Sequence, residues 1–275
     1  MSRWIGLFVF SFLAACSPLG VVDRLTPTTG YERTRDIAYG TGPRRTYDLY
    51  EPTGTARDAP VIVYFYGGGW KSGDKDKYRF VAQTLAKAGH TVAIPDYRLY
   101  PEVTFPAFVE DGAAAVAAII RRLDRPVILI GHSAGAHIAV MLTLDRRWLA
   151  ADGIDVDRMV TATIGLAGPY DFLPLSRNLQ PILAPGGDPE PSQPITHVRG
   201  DAPPLLLVHG QADTTVRPRN TTNLAEAVDA AGGDVTVVTY SKVAHAGLVG
   251  AFARPLRFLA PTPEDVIAWL ERRGY

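Results

Sequence analysis

Cysteine is nearly missing from this sequence: Cys16 is the only one among 275 residues. A lone thiol excludes any disulfide within the chain, so the fold must be held by its core. Surplus charge is missing too. Lys and Arg number 28, Asp and Glu also 28, for a formal net charge of zero. Nothing points to nucleic acid or another polyanionic partner. Internal repeats and low-complexity tracts are lacking. So are histidine, cysteine and acidic residues at metal-ligand spacing, the lysine and hydroxyl of a Walker loop, and a dinucleotide-binding glycine motif after a first strand. Neither a metal nor a cofactor is therefore expected. What is present is an ordinary globular composition, 47% apolar, on a length that suits one large or two small domains.

The N-terminus has a layout of its own. Arg3 precedes an apolar run from Trp4 to Leu13, followed by Leu13-Ala14-Ala15-Cys16. The run is shorter than the roughly 20 residues a membrane-spanning helix needs. A basic start, an apolar middle and small residues at a cut site describe a secretory signal. Leu-Ala-Ala-Cys resembles the lipobox of bacterial lipoproteins, which implies a signal peptide over 1–15 and acylation of Cys16. Ser17 after it is what that resemblance associates with the outer membrane. The expectation is an exported envelope protein held to the membrane by its N-terminal lipid alone. Residues 16–30, rich in Pro, Thr and Gly, read as the linker to the fold.

From Tyr31 onward the pattern is that of one α/β domain over 31–275. Tyr31 to Ala38 and Arg45 to Tyr50 form a candidate antiparallel hairpin. Pro60 to Tyr66, Thr91 to Ile94, Pro126 to Ile130, Thr161 to Leu166 and Leu205 to Val208 are short, continuously apolar runs. Strands covered on both faces need that kind of sequence. Helical spacing separates most of them, over Lys77 to Ala88, Ala107 to Leu123 and Ala134 to Leu144. Pro218 to Ala231 comes next, then a strand from Val235 to Thr239. A terminal helix follows, with Thr262 as its cap. Such alternation gives a mostly parallel sheet with helices on both faces. A stretch rich in proline and glycine, about 168–203, breaks the alternation and reads as a lid at the carboxyl edge of the sheet.

One pentapeptide carries the chemistry. Gly131-His132-Ser133-Ala134-Gly135 lies between a strand and a helix, the context in which Gly-x-Ser-x-Gly forms a sharp turn presenting the serine hydroxyl. A serine needs a base to take its proton and an acid to hold that base. On this architecture the acid and then the histidine follow the serine in the chain. Among the six histidines, His90, His132 and His137 lie before or beside the turn. His197 is in the lid, and His209, ending an apolar strand, reads as structural. His245, in a loop after the last strand, is the candidate base. Asp213, after the strand Leu205 to Val208, is the candidate acid, with Asp171 as the alternative. Tyr66-Gly67-Gly68-Gly69-Trp70 follows another strand. Its Gly68 and Gly69 N–H groups, with that of Ala134, would form the hole for a tetrahedral oxyanion. Trp70, Tyr97 and Phe172 are candidate pocket walls. Asp96 and Arg98 suggest an ion pair, and Lys71, Asp74, Lys75 and Lys77 a solvated helix entry.

These segments, together with Asp96-Tyr97-Arg98-Leu99, Pro101-Glu102 and Phe105-Pro106-Ala107, resemble the α/β-hydrolase superfamily. The likeness is greatest to small carboxylesterases near the hormone-sensitive-lipase, feruloyl-esterase-like and kynurenine-formamidase-like groups. The resemblance implies a serine hydrolase acting on short- to medium-chain esters through an acyl-enzyme. A formamidase or aryl-amide hydrolase is the alternative within enzymes, and a non-catalytic binding protein the alternative outside them. The family usually has histidine at the position of Tyr66, where it braces the oxyanion loop, so that bracing is the part placed in doubt.

Overall fold

The computed structural model describes residues 22–23, 25–54 and 59–275. Cys16 and the leader expected over 1–15 lie outside the described residues. The end of the expected linker is docked on the body: Thr26 is buried, and Asp23 Oδ2 lies 3.4 Å from Arg79 Nη2.

Among the described residues, eight strands form one sheet: β1 Tyr31–Ala38, β2 Thr46–Pro52, β3 Val61–Phe65, β4 Val92–Pro95, β5 Val127–His132, β6 Val160–Leu166, β7 Leu205–Gly210 and β8 Val235–Tyr240. Their order across the sheet is β1-β2-β4-β3-β5-β6-β7-β8. β1 and β2 are antiparallel, as are β2 and β4, while every pairing from β3 to β8 is parallel. β3, β4, β5 and β7 are buried at every position, the physical reason their sequences are apolar without alternation. β1 and β8 at the edges are partly exposed, and their sequences mix polar with apolar residues accordingly.

The longer helices are α1 Arg79–Lys87, α2 Ala107–Leu123, α3 Ala134–Leu144, α4 Arg219–Ala230 and α5 Thr262–Arg272. α3 is buried at every residue, so its apolar character runs all the way round. α5 begins one residue earlier than expected. Pro261 takes the cap position and Thr262 is already helical, with no side-chain capping bond.

Two readings of charged residues are corrected. Asp96 and Arg98 do not pair. Arg98 makes two 2.8 Å bonds to the carboxylate of Asp111 on α2, while Asp96 accepts from Tyr66 Oη and the Lys75 N–H. Lys75 is not solvated. It is 3% exposed, with Nζ 2.6 Å from Asp36 and 3.2 Å from Asp48. Asp48 is fully buried on β2 and also takes the guanidinium of Arg33. A buried carboxylate must be paired, and that demand draws Lys75 inward.

Candidate active site

The turn at Ser133 is built by close approach. A Cβ at Gly131 would stand 2.2 Å from the Gly135 carbonyl oxygen, and one at Gly135 would stand 2.1 Å from that of Phe65. Neither position admits a side chain. Ser133 itself sits at φ 55°, ψ −122°, a sparsely populated region costing about 1–3 kcal/mol. The strain is held by its neighbours: Ser133 N–H donates to Leu166 at 2.9 Å, and Ser133 O accepts from His137 N–H at 3.1 Å.

His245 opens a short helix, His245–Gly250, after β8. Its Nε2 is 2.9 Å from Ser133 Oγ and its Nδ1 is 2.7 Å from Asp213 Oδ2. Asp213 is 5% exposed. Its other oxygen accepts from the N–H groups of Thr215 and Val216 at 2.8 and 2.9 Å, which fixes the carboxylate plane. Serine hydroxyl, imidazole and carboxylate thus form one chain of hydrogen bonds, able to move a proton from oxygen to nitrogen and to stabilise the resulting cation. Asp171 lies outside this chain, with Asn223 Nδ2 donating to its carboxylate at 2.5 Å. His209 is buried and structural, bonded to Thr221 Oγ1 and the Val216 carbonyl.

Gly69, Trp70, Ala134 and Phe172 line a cavity of about 390 Å³ with Ser133. The Gly68, Gly69 and Ala134 N–H groups have no backbone acceptor among the described residues. Gly68 does not line the cavity. It sits at φ +140°, where a Cβ would meet the Ser72 carbonyl oxygen at 2.0 Å, so the loop admits only glycine there. Of the aromatic candidates, Trp70 and Phe172 are walls, while Tyr97 is core, its hydroxyl donating to the Tyr66 carbonyl at 2.8 Å.

Tyr66 braces the glycine loop with different groups from those the family's histidine would supply. Its hydroxyl donates to Asp96 Oδ1 at 2.7 Å and accepts from Arg44 Nη2 at 2.8 Å. Arg44 Nη2 also reaches the Gly73 carbonyl at the far end of the loop. The ring stacks between Tyr78 and Tyr97, at centroid distances of 5.3 and 4.8 Å. Burial pushes the phenol well above its ordinary pKa, so it stays a donor.

The stretch 168–203 forms a wall of the site, with Pro169, Phe172, Pro174, Ser176 and Leu179 facing the cavity. It is tied to α3 by His137 Nε2, which donates to the Ser192 carbonyl at 2.8 Å. A second histidine escaped the sequence reading as a site residue. His132 Nε2 donates to the His245 carbonyl at 3.2 Å and so holds the segment carrying the candidate base. Only its place beside Ser133 hinted at this.

Burial pushes His132 down to about 3, with the nearby His245 adding to the effect, and pushes His137 down to about 4. Both values lie below the roughly 6.5 of an unfolded chain. Between them the unfolded chain binds protons that the folded one does not. This contribution to stability is therefore complete above pH 6.5 and is lost as pH falls toward 3–4. From pH 6.5 to 5 the loss is about 2 kcal/mol for each imidazole. Urea unfolding at pH 7 and pH 5 should show that fall, and His137→Gln should remove about half of the two-histidine share. An equal fall in the variant would show that His137 is protonated in the fold.

The family model BD-FAE matches residues 47–228. The isoprenylcysteine alpha-carbonyl methylesterase ICME of Arabidopsis thaliana is 28% identical over 241 residues, 78% of this chain and 56% of that one. Kynurenine formamidase of Danio rerio is 31% identical over 165 residues, 57% of this chain and 53% of that one. The chain thus spans about half the length of the curated relatives it matches. A solved structure, a truncated carbohydrate esterase from gut microbiota, superposes with a TM-score of 0.76 at 19% identity, covering 90% of this chain and 98% of the other. That likeness carries the fold, which is the expected α/β-hydrolase fold. The family match extends from β2 into α4 and takes in the glycine loop, the Ser133 turn and Asp213, and on that extent the chain belongs to the BD-FAE family.

Proposed function

We propose that this chain is a serine hydrolase that cleaves short- to medium-chain carboxylic esters through an acyl-enzyme. The observation that carries the reading is the pair of hydrogen bonds from Ser133 through His245 to Asp213, at 2.9 and 2.7 Å. Ser133 Oγ attacks the ester carbonyl while His245 Nε2 takes its proton. The oxyanion is held by the N–H groups of Gly68, Gly69 and Ala134. One such donor is worth about 3 kcal/mol of barrier. The imidazolium, held by Asp213, returns its proton to the leaving alcohol. Water then enters, gives its proton to His245 and attacks the acyl carbonyl, and Ser133 is released. The relatives support an esterase over a binding protein, since one of them is a methylesterase.

A second reading, hydrolysis of a formyl amide by the same groups, rests on the likeness to kynurenine formamidase. The test is a panel of p-nitrophenyl esters of increasing acyl length, with N-formylkynurenine beside them. Rates should be highest for short and medium acyl groups and fall once the chain outgrows a cavity of about 390 Å³. A higher kcat/KM on the formyl amide than on every ester would move the assignment to the amide. Turnover of neither would favour the binding protein.

A further inference from the structure

We propose that the cavity containing Ser133 selects esters that carry a carboxylate, bound by Arg217 and Arg219. The inference rests on the serine-hydrolase reading and concerns the substrate class of that same site.

Both arginines line the cavity, and both are exposed. Among the described residues, neither side chain makes an ion pair or a hydrogen bond. Arg98 is paired with Asp111, Arg273 with Asp234, and Arg146 and Arg199 share Asp157 and Asp201. Arg217 and Arg219 bring two unpaired guanidinium groups to the wall of the cavity that contains Ser133. Among the described residues, no carboxylate lines it to oppose them. The nearby acids are engaged elsewhere, Asp213 with His245 and two N–H groups, and Asp171 with Asn223.

Local structure does not account for Arg219. It is the first residue of α4, a helix with no acidic residue in its first turn and no side-chain cap. A cation there meets the positive end of the helix dipole, which is unfavourable. A carboxylate arriving with the substrate would offset that cost. Guanidinium groups suit a carboxylate because their planar donors match its two oxygens. Trp70, Phe172 and Leu179 supply apolar wall for the rest of the molecule. The ligand that fits is an ester with an apolar body and one anionic group, on the acyl or the alcohol side.

The test compares matched esters on the full-length protein. Monoethyl adipate is set against ethyl hexanoate for the acyl side, and 4-acetoxybenzoate against 4-acetoxybenzamide for the alcohol side. In at least one pair, at low ionic strength, kcat/KM for the anionic ester should exceed that for the neutral one by about tenfold, mainly through KM. Partly solvated charge pairs are worth about this much when two act together. The ratio should shrink as salt is added. It should fall toward one in the double variant Arg217→Gln/Arg219→Gln and recover in part in Arg217→Lys/Arg219→Lys, with thermal midpoints as a check on folding. A ratio of one or below in both wild-type pairs would overturn the proposal while leaving the hydrolase reading intact. So would a ratio that the glutamines leave unchanged. Failure to cleave any of the four esters would overturn the hydrolase reading, and this inference with it.

Discussion

Replacing Ser133 by alanine is expected to lower kcat/KM by about 10⁶, near the scale seen when a serine protease loses its nucleophile. That corresponds to about 8 kcal/mol of transition-state stabilisation. The size follows from what is left behind. Without Oγ no acyl-enzyme can form, and His245 Nε2 loses the group 2.9 Å away whose proton it would take. The substitution is mild for the fold. Alanine keeps the Cβ, the N–H bond to Leu166 and the carbonyl bond from His137, and it meets the same strain at φ 55°. A fluorophosphonate probe supplies the second readout. It should label the wild-type protein at Ser133 and leave the variant unlabelled. Labelling of the variant at another serine, with turnover retained, would remove Ser133 from the reaction.

The elements whose sequences are dictated by burial were the legible ones. α2 and α3 fall on the expected residues, Ala107–Leu123 and Ala134–Leu144, because each is framed by a strand and bounded by a change in apolar spacing. The chain of Ser133, His245 and Asp213 was legible because order along the chain and strand ends leave few alternatives. What was not legible depends on partners distant in sequence. Lys75 looks like a surface charge among other charges until Asp48, buried on β2, is placed beside it. Arg98 lies two residues from Asp96, yet it bonds Asp111 on the facing helix, since α2 carries that carboxylate to it with two oxygens in line. The brace at Tyr66 was hidden for the same reason. Arg44 comes from the turn between β1 and β2, and Asp96 from the end of β4. Arg217 and Arg219 carry no pattern of their own in the sequence, and only the cavity that contains Ser133 places them at the site.

The acid is the part of the site that substitution should test most sharply. Asp213→Asn should lower turnover by about 10⁴, the size of the corresponding loss in a serine protease, and the local bonds say why. Asp213 Oδ1 accepts from two N–H groups, those of Thr215 and Val216, while Oδ2 accepts from His245 Nδ1. An asparagine has a single oxygen for these three donors. Turned toward the two backbone N–H groups, it presents its NH₂ to His245 Nδ1. The imidazole must then carry its proton on Nε2, facing Ser133, where it cannot accept another. Turned the other way, it leaves two backbone donors facing an NH₂ in a buried place, at about 1–3 kcal/mol for each unmet donor, so the first orientation prevails. Asp171→Asn meets none of this. Its carboxylate is bonded by Asn223 and makes no bond to His245, so turnover should be largely kept, with any change appearing in KM through the adjoining wall at Phe172. Circular dichroism of both variants should match wild type, since neither changes side-chain volume. An inactive Asp171→Asn beside an active Asp213→Asn would place the acid after β6 instead of β7.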